Sequence, residues 1–112
     1  MGGATLGAGN VDILLGDETV TLRPTLRAAQ TISKQSGGIV SALQAVSRFD
    51  FDVISSVIAL GLNKTSPRDQ QDIAEKVYET GLSDLIEPVT NFLAILANGG
   101  RPVTAKASDE NP

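Results

Sequence analysis

The chain contains no cysteine, no histidine and no tryptophan. Without cysteine it can form neither a disulfide nor a thiolate metal site. Without histidine it lacks the side chain that most readily moves protons near neutral pH, so a serine or threonine nucleophile would depend on a lysine as base. The lysines are Lys34, Lys64, Lys76 and Lys106, and none lies in an apolar run. Enzyme activity is therefore not expected, nor is any cofactor. Aromatic residues are also few: Phe49, Phe51, Phe92 and Tyr78 are all there are, so the core must be aliphatic. Positive charge is scarce as well, with 9 basic residues against 13 acidic ones and a net charge of −4. That balance argues against binding nucleic acid, which needs a basic face to displace counterions, and against electrostatic attachment to anionic membranes. The longest apolar stretch, Val53–Leu62, is too short to span a bilayer and is interrupted by Ser55 and Ser56.

What remains is 112 residues, 41% of them hydrophobic, a length and composition that fit one domain with one core. Met1–Asn10 is small and Gly-rich, with neither the basic start nor the apolar run of a secretory signal. Leu6 stands where a myristoylation signal has Ser or Thr, and a soluble, cytoplasmic protein is expected. Residues 1–9 read as a flexible Gly-rich arm, 10–98 as the single folded domain and 99–112 as a disordered tail.

Period-two alternation runs through Val11, Ile13 and Leu15 and again through Val20 and Leu22, on either side of Gly16-Asp17. This predicts a β-hairpin, which is marginal alone and must pack one face on helices. Pro24 ends the second strand, and Thr25 can cap a helix that buries Leu26, Ala29 and Ile32 and stops at Gly37-Gly38. A second helix, Ile39 to Arg48, turns Ile39, Val40, Leu43 and Val46 inward. A third starts at Asp50 or Asp52; it is apolar on most sides and should be central. Ser66-Pro67-Arg68-Asp69 opens a fourth, with Ile73, Val77 and Tyr78 as its buried stripe and Gly81 as its stop. Ser83 caps a fifth, with Leu85, Val89, Phe92, Leu93 and Leu96 inward and a kink expected at Pro88. The fold class is α+β, mostly α-helical: a two-stranded N-terminal hairpin on four to five short helices.

Motifs that could carry chemistry reduce to simpler roles. Asp50-Phe51-Asp52 has the spacing of a two-carboxylate metal motif but lacks a third acid nearby, and helix capping accounts for it. Gly2, Gly3, Gly7 and Gly9 precede the first strand and lack the Gly-Lys-Ser/Thr ending of a phosphate loop. Asn63-Lys64-Thr65 matches a glycosylation acceptor and, without a secretory signal, marks an exposed turn. Gly37-Gly38 joins two helices as in a helix-turn-helix, but the second helix carries one basic residue, Arg48, at its far end.

In order and spacing the chain resembles the small tail-assembly-chaperone family of gene transfer agents and siphophage-like prophages. The resemblance is carried by Leu22-Arg23-Pro24-Thr25-Leu26-Arg27-Ala28, by Ile32 to Gly37, by Ala59-Leu60-Gly61-Leu62 and by Pro88-Val89-Thr90-Asn91-Phe92-Leu93. It covers roughly residues 10–98; Pro24 and the Gly-rich arm depart from the pattern. The resemblance implies a non-enzymatic role in building a long tail. Genes of this family usually lie between those for the tail tube and the tape measure, and their products are thought to hold the tape measure until tube subunits polymerise around it. The implied partner is the tape measure or tail-tube protein, met by helix-in-groove docking. Phe49, Phe51 and Phe92 are the candidate partner-binding residues, since aromatic anchors dominate interfaces. The competing assignment puts all three in the core as its largest fillers. Two other functions stand beside the chaperone: a structural or completion subunit retained in the tail, and a small DNA-binding regulator.

Overall fold

The computed structural model describes residues 9–102. Two strands and five helices follow one another: β1 (Val11–Leu15), β2 (Glu18–Leu22), α1 (Leu26–Ser36), α2 (Ile39–Ser47), α3 (Phe51–Leu62), α4 (Pro67–Thr80) and α5 (Leu82–Ala97). The architecture is the expected α+β, mostly helical one, with the hairpin packed on five helices. Pairing is antiparallel, Val11 opposite Leu22 and Ile13 opposite Val20, so Val11, Ile13, Leu15, Val20 and Leu22 share a face, while Leu14 lies on the other and is exposed. Gly16 has φ 69°, the positive value that the first residue of a tight two-residue hairpin turn requires. On the outer face the Thr21 hydroxyl donates to Asp12 Oδ1 at 2.6 Å.

The strand-to-helix junction is fixed from three sides. Thr25 Oγ1 accepts from the Ala28 amide at 3.0 Å and caps α1 as expected. The Arg23 amide donates to the Gly61 carbonyl at 2.9 Å, which ties the end of β2 to the end of α3. Gly9 and Gly100 both pack against Pro24, and a Cβ at Gly9 would overlap the Gly100 carbonyl. Gly9 is buried, and the Gly100 amide donates to the Ile95 carbonyl at 2.9 Å. The predicted arm at 1–8 and tail at 103–112 lie outside the described residues.

Helix α3 is central, touching β2 and each of the other four helices. Asp50, rather than Asp52, caps it, accepting from the Val53 amide at 3.1 Å. Four expectations are corrected. Leu26 is exposed, because Ala28 and Ile32 set the buried face of α1 and Leu26 points away from both. Val40 is exposed, because α2 turns in on Ala42, Ala45 and Val46. Tyr78 is 80% exposed; the buried stripe of α4 is only Ile73 and Val77, and Tyr78 lies about 100° round the helix from Val77. Ser83 does not cap α5, which starts at Leu82 with Gly81 as both the end of α4 and the start of α5. The helix runs on through Pro88 to Ala97 with Pro88 inside it.

Candidate functional site

Among the described residues no polar or charged residue is buried, and no group of three or more His, Cys, Asp or Glu is arranged to hold a metal ion. No described helix is long and apolar enough to cross a membrane. Asp50 spends its carboxylate on the α3 cap, and Asp52 is exposed and the only acid within its own helix. Lys76 sits 3.5 Å from Asp72 and 3.6 Å from Glu18. Asp72 foremost, then Glu18, raises it above its ordinary 10.5, so it is a fixed cation rather than a base.

The surface is more informative, because it holds two of the four aromatic side chains and the edge of a third. Phe92 is 0% exposed and belongs to the core, against Gly61. Phe51 is partly buried, packed against the core from the first turn of α3. Phe49 is 50% exposed and has φ 63°. The three candidate residues are therefore not brought together: Phe92 is interior, Phe51 straddles core and surface, and Phe49 stands out on the turn.

That turn has a well-defined hydrogen-bond pattern. The Asp50 amide donates to Ala45 at 3.0 Å and the Phe49 amide to Val46 at 2.9 Å, the pair of bonds that closes a helix through a left-handed residue. Glycine usually fills that position, since a Cβ there costs about 1–2 kcal/mol. Here a phenylalanine fills it. The composition gave no warning of this, because left-handed backbone is normally read from Gly or Asn.

Between α3 and α4 lie two adjoining hollows of about 430 and 440 Å³. Phe51, Gln71 and Ala74 line both. Ser55, Ser56 and Pro67 extend the first, and Tyr78 and Glu79 extend the second. Sequence reasoning missed this groove by assigning Tyr78 to the core. The signal was present: Gln71, Ala74 and Tyr78 recur at helical spacing on a face that also carries Glu75. The Ser55 hydroxyl is buried there without a hydrogen-bond partner. A tighter hollow between α1 and α3, about 190 Å³, is smaller than the roughly 300 Å³ of ligand pockets.

Compared with protein-family models, curated proteins and solved structures, the chain gives no significant match.

Proposed function

We propose that this chain is a non-enzymatic protein-binding factor of tail assembly, a chaperone for the tape measure protein that works through its α3–α4 side. The observation that carries the binding reading is the placement of the aromatics. Three of four, Phe49, Phe51 and Tyr78, sit at or near the surface although the core is short of large side chains. An aromatic left in water gives up burial worth about 1.5–3 kcal/mol, which a partner can recover. The choice of tape measure as partner comes from the sequence resemblance described above. A tape measure is a long helical chain with apolar faces that need cover before the tube forms, and a shallow groove can cover them reversibly.

Co-expression with a tape measure protein from the same genome is the test. A soluble complex, together with a fall in tail yield when the gene is deleted, supports the proposal; a tape measure that stays soluble and assembles without the chain overturns it. Mass spectrometry of purified particles separates chaperone from retained subunit, stoichiometric presence being the mark of a subunit.

A further inference from the structure

We infer that the α3–α4 groove takes a basic amphipathic helix from the protein partner. This rests on the protein-binding reading and goes beyond it by fixing the chemistry of the segment that docks. The groove has the shape for a helix. Along α4 its lining runs from Pro67 to Glu79, a length of about 18 Å at 1.5 Å per residue, enough for about three turns of a docked helix. Its floor is built from small side chains, Ser55, Ser56 and Ala74, which let a second backbone come close. Phe51 and Tyr78 supply apolar contact at its sides.

Charge selects the partner. Every charged residue lining the two hollows is an acid: Asp52, Glu75 and Glu79. The same helix adds Asp69 and Asp72 beside the groove, with Arg68 next to them at its first turn, and its other cation, Lys76, is held by Asp72 and Glu18. A docking helix with leucine-like anchors and flanking Lys or Arg satisfies both the apolar floor and the acidic rim. A second copy of this chain fits badly, since it carries a net charge of −4.

The probe is a synthetic Leu/Lys peptide with leucines at i, i+3, i+4 and i+7, and its Leu/Glu counterpart, titrated by fluorescence anisotropy into the full chain. The Leu/Lys peptide should bind, more weakly as salt rises, and the Leu/Glu peptide should not. Tyr78→Ser and Glu79→Lys should each weaken binding at least about tenfold. Glu87→Lys makes the same change in net charge on α5, away from the groove, and should leave binding within about twofold. Equal binding of both peptides, or an equal loss in Glu79→Lys and Glu87→Lys, overturns the inference, and so does self-association of the chain that Tyr78→Ser abolishes. Both substitutions fall on the exposed face of α4, so circular dichroism should show an unchanged fold. Capture of the tape measure separates the two proposals. If Tyr78→Ser and Glu79→Lys still capture it as well as the native chain, the groove assignment fails and the chaperone reading stands. If the Leu/Lys peptide binds in the groove but the native chain captures no tape measure, the chaperone reading fails and the groove assignment stands.

Discussion

Two glimpses of the same residue type divide this molecule. At the seam where β2, α3 and α5 meet, Phe92 is wholly enclosed, and Gly61 lies so close to it that an added Cβ would stand 3.2 Å from Phe92 Cζ and 3.0 Å from Leu22 Cβ. At the α2–α3 turn, Phe49 is half exposed on a left-handed backbone where glycine would sit without strain. The seam is packed to the limit that the backbone allows. The turn holds an aromatic in a place that folding does not favour. Residues of the first kind are explained by stability; a residue of the second kind calls for another explanation, and strained positions concentrate at working surfaces.

The largest expected effect tests the seam. Phe92→Ala should lower unfolding free energy by about 3–5 kcal/mol in denaturant titration, because it empties a site that packed neighbours cannot fill. A loss under about 1 kcal/mol would mean that the seam can collapse and is not the tight region described. Gly61→Ala comes next. Alanine is the better helix former by about 1 kcal/mol, but the new methyl meets Leu22 Cβ, which cannot swing aside as a side-chain tip can. Overpacking of about 1–3 kcal/mol should win, for a net loss of about 1–2 kcal/mol. A stabilised Gly61→Ala would show that strand and helix can part slightly at no cost.

At the turn the sign should reverse. Phe49→Gly relieves the left-handed strain and gives up only half-buried contact, so stability should hold or rise by up to about 1 kcal/mol. Phe49→Ala keeps the strain and loses the ring, and should fall below Phe49→Gly when the two are compared by thermal unfolding. If Phe49→Gly instead loses more than about 1 kcal/mol, Phe49 is a core residue after all and the contrast with Phe92 disappears.

Much of the seam could be read from sequence, and little of the turn. The hairpin, the Thr25 cap and the central place of α3 follow from local rules: alternation, a capping hydroxyl ahead of a helix, and apolar residues all round it. Each depends on neighbours a few residues away. Leu26, Val40 and Tyr78 were misplaced because hydrophobicity says that a side chain could be buried, not which face of its helix meets a neighbour. Leu26 and Val40 lie off the axis set by Ala28 and Ala42, small residues that mark close helix contacts and carry little hydrophobic signal. Gly61 sits in the last turn of α3. Its close approach to Leu22, some forty positions earlier, is a long-range fact that no local pattern contains. The groove likewise exists only once α3 and α4 are side by side.

The smallest effect falls outside both regions, at the tip of the hairpin on α4. The Gly16 amide donates to Thr80 Oγ1 at 2.6 Å, and Lys76 bridges Glu18 on β2 and Asp72 on its own helix. Because Asp72 and then Glu18 raise Lys76 above 10.5, the folded chain holds this proton more tightly than the unfolded one. The stabilisation is therefore fully present below the unfolded value and is lost as pH climbs through the folded one. Native chain and Lys76→Met should differ by a small, constant margin in thermal midpoint from neutral to mildly alkaline pH, and the margin should close at strongly alkaline pH. Added salt should narrow it at every pH, since both ion pairs are open to solvent. The Gly16–Thr80 bond carries no charge, so the tip should stay docked when Lys76 is lost. A margin that stays the same through strongly alkaline pH would mean that Lys76 contributes through its alkyl chain and not its charge. The hairpin would then be joined to α4 by packing, as β2 is joined to α3 and α5 at the seam.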